Sequence, residues 1–184
     1  SMAALLDSED TPVIWRGPLK IGVIRQFLAD VSWGKLDVLV VDLPPGTGDE
    51  PLTVMQTIPL DGVIIVSTPQ VVALLDTVKS INMAKKVGVP IAGIIENMSF
   101  FQCPNCGSKH RIFGDGGVKQ AAEKYGVDFL GEIPLDISIR ESGDRGVPVV
   151  FQENSQSASY YMEIARRIME KYAGTTESRG TCYK

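Results

Sequence analysis

The segment from Val38 to Asp49 constrains the fold more than any other part of the chain. Four strand-forming residues, Val38–Val41, end at Asp42, and a loop rich in proline and glycine follows at once. An uninterrupted apolar run is typical of a parallel strand buried on both faces. The carboxyl ends of such strands form the edge at which α/β proteins bind ligands. We therefore predict a buried strand over Leu36–Val41 that delivers Asp42 to this edge of a parallel sheet.

The chemistry of the loop fits a bound nucleotide. A carboxylate in this place can hold the Mg²⁺ of a nucleoside triphosphate, directly or through water, which makes Asp42 the candidate catalytic residue. Gly46 and Gly48 allow the backbone to come close to an anion, so Gly46 is a candidate nucleotide-binding residue. The alternative is that Asp42 only caps the turn after the strand.

The rest of the chain alternates between strand and helix patterns. Hydrophobic periodicity predicts strands over Gly62–Ser67, Ile91–Ile95 and Phe129–Ile133, and helices over Pro18–Ser32, Gln70–Val87, Gly117–Tyr125 and Ser155–Tyr172. The charges of both signs in residues 140–145 predict an exposed, salt-bridged helical face. Strands that alternate with helices imply right-handed crossovers. We expect one three-layer α/β domain with a mainly parallel sheet over residues 1–172, and a disordered tail over residues 173–184.

Composition excludes several classes of partner. The 184 residues carry a formal net charge of −4, with a pI near 5.1, so we expect no nucleic-acid surface. No apolar run approaches the roughly 18 residues of a membrane span, so we expect no membrane partner. Three cysteines are too few for a disulfide framework. They suit a reducing compartment, and we expect a cytoplasmic protein.

Residues after the later strands supply further candidates for nucleotide binding. Asn97 follows the strand over Ile91–Ile95, and its carboxamide could pair with the edge of a purine. The alternative, a turn residue, is favoured on spacing alone. Pro134 and Asp136, after the last strand, could form the other wall of a base pocket, or equally a plain loop. We expect Asp42, Ser67 and Asn97 at a common edge of the sheet.

Cys103 and Cys106 form a Cys-x-x-Cys motif and are the candidate metal ligands. A structural zinc site needs four ligands. One chain offers this pair, the nearby His110, and Cys182 far away in the tail. Two chains related by a two-fold axis would supply four thiolates, which suit Zn²⁺ or a [4Fe–4S] cluster. The alternative is a redox-active pair, but that motif usually begins a helix, whereas this one lies in a polar loop.

Several strings of the sequence together carry a resemblance to one family. They are residues 13–18, 33–37, 42–49, 67–70, 96–99, 103–106, 112–114 and 131–136. Over about residues 10–152 the chain resembles the Mrp-type ATPases, the iron–sulfur cluster carriers in the MinD/ParA branch of P-loop NTPases. The resemblance implies a homodimer that uses ATP and Mg²⁺, holds a cluster between paired Cys-x-x-Cys motifs and passes it to iron–sulfur apoproteins. Asp42 then matches the Mg²⁺-associated aspartate, Gly46 the γ-phosphate-sensing glycine, and Asn97 the adenine-side asparagine.

The chain also departs from this family. No Gly-x-x-x-x-Gly-Lys-Ser/Thr loop occurs in residues 1–184, and the family's first strand and helix are likewise absent. The sequence therefore matches the C-terminal two-thirds of the family domain, and we expect no ATP hydrolysis by this polypeptide alone. Two other functions remain open. One is a non-catalytic dimeric zinc protein. The other is a MinD/ParA-like positioning ATPase, against which the acidic balance counts.

Overall fold

A computed structural model of the protein describes residues 17–152 and 155–172. The chain divides into two compact units, Ser1–Ile58 and Pro59–Lys184. No helix in the described part of the chain is both long enough and apolar enough to cross a bilayer. Cys182 and the predicted tail over residues 173–184 lie outside the described residues.

The described part of the first unit contains two helices, α1 (Gly17–Ala29) and α2 (Asp49–Thr57). Helix α1 confirms the helix predicted over Pro18–Ser32, with Pro18 in the first turn, where a missing N–H costs nothing. Helix α2 begins after Gly48 with Asp49 and Glu50, whose negative charge favours a helix N-terminus. Lys20 Nζ lies 2.8 Å from Glu50 Oε1 and joins the two helices.

The strand predicted over Leu36–Val41 is absent, and this prediction is wrong. The segment forms neither helix nor strand, and its apolar side chains are exposed except for the half-buried Val41, with Val40 82% accessible. A buried parallel strand exists only when hydrogen-bonded neighbours satisfy its backbone. The described residues of this unit form two helices and irregular segments, and none of them pairs with Leu36–Val41 as a strand. Asp42 therefore follows an irregular segment of the chain rather than a strand.

The second unit is built around a three-stranded parallel sheet. Its order is β1-β2-β5, and a two-stranded antiparallel hairpin, β3-β4, stands beside it. The strands are β1 (Val63–Ser67), β2 (Ile91–Glu96), β3 (Phe101–Gln102), β4 (Lys109–His110) and β5 (Phe129–Glu132). The helices are α3 (Val71–Val87), α4 (Gly117–Tyr125), α5 (Ile137–Asp144) and α6 (Gln156–Tyr172), with a 3₁₀ helix over Val149–Phe151. The later strand and helix predictions are confirmed to within a few residues.

Two apolar clusters cover opposite faces of this sheet. Ile94 packs with residues of α3 and α4, whereas its neighbour Ile95 packs with Ile164 of α6. Successive residues of a strand point to opposite faces, so the two clusters lie on the two sides of the sheet. The unit is thus a three-layer α/β structure, as the sequence predicts. The charges of α5 are also exposed and paired, with Arg140 Nη1 2.6 Å from Asp144 Oδ2.

Candidate functional site

The carboxyl edge of the sheet brings Ser67 and Asn97 together. Ser67 ends β1 opposite Glu96, the last residue of β2, and the Asn97 amide donates to the Ser67 carbonyl at 2.7 Å. This placement confirms the common edge predicted for these two residues. Asn97 Oδ1 accepts from the Met98 amide at 3.0 Å, and Met98 has a φ of +55°. The Asn97 side chain therefore shapes a tight turn at this edge.

Glu96 is the most deeply buried charged residue at this edge, with an accessibility of 0%. Its two carboxylate oxygens have different partners. Oε1 accepts from the Ser99 hydroxyl at 2.6 Å, and Oε2 accepts from the Val118 amide at 3.1 Å. Val118 lies in the first turn of α4, where backbone N–H groups have no partner within the helix and attract negative charge. Glu96 thus ties the end of β2 to the start of α4.

Arg111 contacts three carboxylates around this edge. Its Nη1 lies 3.8 Å from Glu96 Oε1 and donates to the Ser99 hydroxyl oxygen at 3.0 Å. Its Nε lies 3.0 Å from Asp115 Oδ1, and its Nη2 lies 3.3 Å from Glu132 Oε1. The planar guanidinium can hold several acceptors in fixed directions at once. Arg111 therefore links β2, β5 and the loop before α4.

The two candidate metal ligands lie on the loop of the β3-β4 hairpin. The Cys103 amide donates to the Ser108 carbonyl and the Gly107 amide donates to the Cys103 carbonyl, each at 2.9 Å. Gly107 has a φ of +72°, a left-handed conformation that glycine adopts without strain. Cys103 is half-buried and Cys106 is exposed. The hairpin thus presents both thiols on one compact turn.

The surroundings of Cys106 favour its thiolate. The Cys106 sulfur lies 3.0 Å from the Ser108 hydroxyl, which in turn lies 2.9 Å from His110 Nε2. Hydrogen bonds from the Ser108 side chain, from the Ser108 backbone and from Cys103 lower the pKa of the Cys106 thiol below its usual value. The thiolate is the form of cysteine that binds metals.

The described part of the chain does not contain a complete set of metal ligands. No group of three or more His, Cys, Asp and Glu side chains within it is arranged to hold a metal ion. His110, the sole histidine, is engaged with Ser108. A tetrahedral metal ion held by Cys103 and Cys106 would need two further ligands from outside the described part of the chain.

The candidates Pro134 and Asp136 lie next to the start of α5. Asp136 is the N-cap of this helix: Oδ1 accepts from the Ser138 amide at 2.7 Å, and Oδ2 accepts from the Ser157 hydroxyl at 2.5 Å. Burial alone would raise the pKa of Asp136, but the hydrogen bonds from Ser157 and Ser138 outweigh it and lower the pKa. Both residues line a cleft of about 30 Å³, which has room for roughly one water molecule.

The candidates Asp42 and Gly46 belong to the first unit, and both are exposed. Gly46 has a φ of +98°, and among the described residues, its chain neighbours aside, no atom lies within 4 Å of the position that a side-chain carbon would occupy there. Its role in nucleotide binding stays a prediction.

Sequence reasoning missed the roles of Glu96 and Arg111. Glu96 ends an otherwise apolar strand, and a carboxylate at such a position signals a buried partner. Its partners at Val118 and Arg111 are distant in sequence, so the pattern of the strand does not reveal them.

Comparison with known proteins identifies relatives over most of the chain. A family model described as the NUBPL iron-transfer P-loop NTPase of the ParA group matches residues 1–169. The "Iron-sulfur cluster carrier protein" of Pyrococcus horikoshii is 55% identical over 163 residues, which are 89% of this chain and 55% of that protein. The chain thus spans about half the length of that relative.

Two solved structures share the fold. A nucleotide-binding protein from Archaeoglobus fulgidus, in complex with ADP and with Co found by PIXE, is 47% identical. Its TM-score is 0.63, and the match covers 70% of this chain and 53% of the Archaeoglobus chain. The septum site-determining protein MinD from Pyrococcus horikoshii, complexed with Mg-ADP, is 26% identical. It also has a TM-score of 0.63, over 89% of this chain and 63% of its own.

Proposed function

Because the chain belongs to the ParA family of NUBPL-type iron-transfer P-loop NTPases, we propose that it carries iron–sulfur clusters on Cys103 and Cys106. The observation that carries this proposal is the β3-β4 hairpin. It presents two thiols on one turn, with Cys106 exposed and its pKa lowered by hydrogen bonds. The thiolate is the form of cysteine that binds metals, so an accessible thiol with a lowered pKa can take up iron. A reducing compartment such as the cytoplasm keeps such thiols free.

The cluster is held between two copies of the chain. A [4Fe–4S] cluster takes four thiolates, and one hairpin supplies two. A two-fold axis at the hairpins makes the two halves of the site identical, as in most homodimers. Zn²⁺ has the same requirement for four tetrahedral ligands, so a dimeric zinc protein is the competing function for this pair.

The proposal also includes nucleotide binding, which the NTPase family of this chain supports. In this proposal ATP and Mg²⁺ are bound with Asp42 near the metal ion and Gly46 near the terminal phosphate, and Asn97 faces the base. Pro134 and Asp136 line the base pocket, with Asp136 acting mainly as the cap that fixes its wall. Nucleotide binding then controls when the cluster passes to iron–sulfur apoproteins.

Anaerobic reconstitution with iron and sulfide tests the cluster proposal. The wild-type chain should develop the broad thiolate-to-iron charge-transfer absorption of a [4Fe–4S] cluster, and Cys103→Ser and Cys106→Ser should each abolish it. Cys182→Ser is the matched control and should retain the absorption. A cluster that survives in the Cys103→Ser/Cys106→Ser double variant contradicts the proposal. Zinc that copurifies with the chain and is not displaced by iron and sulfide supports the competing function.

A further inference from the structure

The cysteine hairpin is too small to hold its own position. Its strands, β3 and β4, have two residues each and pair only through Phe101 with His110 and Gln102 with Lys109. An isolated two-stranded hairpin is at best marginally stable in water, even when its strands are longer than these. The thiol pair must therefore be held by contacts between the hairpin and the sheet.

Contacts at Phe101, Lys109 and Arg111 contribute to this connection. Phe101 forms a parallel bridge with Leu135, beyond the end of β5. Lys109 Nζ lies 4.4 Å from the ring centroid of the buried Phe100. Arg111, directly after β4, contacts Glu96, Asp115 and Glu132. Lys109 ties β4 to Phe100 at the base of the hairpin, whereas Arg111 joins the end of β4 to Glu96 and Glu132 at the carboxyl edge of the sheet.

We infer that Arg111, anchored by Glu96 and Ser99, is the positioning residue of the cysteine pair: it holds the hairpin so that Cys103 and Cys106 present a preformed two-thiol site. This inference rests on the proposed function, since it assigns a residue to the same site. Arg111 touches neither thiol. It acts through β4 and the turn that the Cys103 and Gly107 amides close.

Two of the partners of Arg111, Glu96 and Ser99, are themselves buried and held in place. Glu96 is fully buried, and both of its oxygens are already bound, one by Ser99 and one by the Val118 amide. The Ser99 amide donates to the Ile133 carbonyl at 3.0 Å, which fixes the serine against the strand extension. The Arg111 guanidinium is thus anchored on two buried groups, Glu96 and Ser99, whose positions do not depend on the hairpin.

The geometry also requires an arginine at position 111. One guanidinium reaches the Ser99 hydroxyl, Asp115 and Glu132 through three different nitrogens. A lysine ammonium keeps the charge but is a single point on a flexible stem, so it cannot hold these three groups in one plane. Loss of a residue that orients metal ligands without binding the metal itself typically weakens metal affinity by about 10-fold to 100-fold.

Two measurements on the full chain test this role. The first is amide hydrogen exchange at Cys103 and Gly107 in metal-free protein, which reports on the turn itself. The second is titration with Co²⁺ alone, followed by thiolate-to-cobalt absorption. We expect Arg111→Gln to speed exchange at both amides and to weaken Co²⁺ binding by about 10-fold. Arg111→Lys should fall between Arg111→Gln and the wild type in both measurements. The control, Arg140→Gln, removes an arginine whose ion pairs lie on α5, and it should match the wild type.

The outcomes separate the two proposals. If the Arg111→Gln variant shows wild-type amide exchange at Cys103 and Gly107 and wild-type Co²⁺ affinity, the inference is overturned. This holds even if the variant has a lower melting temperature, because Arg111 then contributes to stability alone. A wild-type chain whose cysteines bind neither Co²⁺ nor a cluster overturns the proposed function. Normal Co²⁺ binding by the wild type, with a loss confined to the Arg111 variants, supports the inference, and the reconstitution with iron and sulfide decides between cluster and zinc.

Discussion

The Val118 amide donates a hydrogen bond to Oε2 of Glu96 at 3.1 Å, across 22 residues of sequence. This bond joins the carboxyl end of β2 to the first turn of α4, where the helix offers its unpaired N–H groups. The other oxygen of Glu96 binds Ser99, next to the turn that contains Asn97. A single buried carboxylate therefore fixes both the helix and the loop that frame the candidate site.

Removal of the Glu96 carboxylate should destabilise the folded protein. Glu96→Ala leaves the Ser99 hydroxyl and the Val118 amide without their acceptor, beside the Arg111 charge, in a site with no accessible surface. We expect the free energy of unfolding to fall by roughly 3 kcal/mol, because two buried hydrogen-bond donors lose their acceptor. Urea denaturation measures this change. Glu123→Ala, at an exposed position of α4, is the control and should change stability by less than about 0.5 kcal/mol. A comparable effect of the two substitutions would contradict this account.

Asp136 should stabilise the fold in a pH-dependent manner. At neutral pH, Asp136→Ala removes the N-cap of α5 and should cost about 1 kcal/mol of unfolding free energy. The pKa of Asp136 is lowered in the folded protein, so the contribution of its charge is complete above the ordinary aspartate pKa of the unfolded chain. It is lost as the pH falls through the native pKa. The stability gap between wild type and Asp136→Ala should therefore narrow in acid, as measured by urea denaturation at several pH values. A gap that is unchanged over this range would show that the charge has no role.

Two glycines should respond to substitution in opposite directions. Gly107 adopts a left-handed φ of +72° in the cysteine turn, and its surroundings are open, so Gly107→Ala costs backbone strain alone. We expect a loss of about 1 kcal/mol, together with weaker Co²⁺ binding by the cysteine pair. Gly143 lies inside α5, also with open surroundings, so Gly143→Ala should raise the free energy of unfolding by about 0.5–1 kcal/mol. Thermal unfolding of the two variants provides the comparison, and a stabilising Gly107→Ala would be incompatible with the turn described.

Hydrophobic periodicity predicts the helices and strands that bury a continuous apolar run or one apolar face. β1 and β2 are continuous apolar runs, and α3, α4 and α6 bury one face, so each is visible in the sequence. Helix α2 was not predicted because it is short, starts with charged residues and contains Pro51. Its acidic first turn is the signal that could have revealed it.

The strand predicted over Leu36–Val41 shows the limit of this reasoning. Its apolar pattern is as strong as that of β1, yet a strand also requires hydrogen-bonding neighbours, which a local pattern does not contain. The candidate site has the same limit. The cysteine pair is evident from its spacing, whereas the link from Arg111 to Glu96 depends on the register of β5 beside β2 and on the position of α4.

The sharing of one cluster by two chains is the central claim, and native mass spectrometry of the anaerobically reconstituted chain tests it most directly. The account predicts a dimer that carries about one four-iron, four-sulfide cluster, which disappears together with the dimer in Cys103→Ser/Cys106→Ser. The same measurement on Cys182→Ser should again give a dimer with about one cluster. A monomer that carries an intact cluster, or a dimer that carries two, would contradict the shared site.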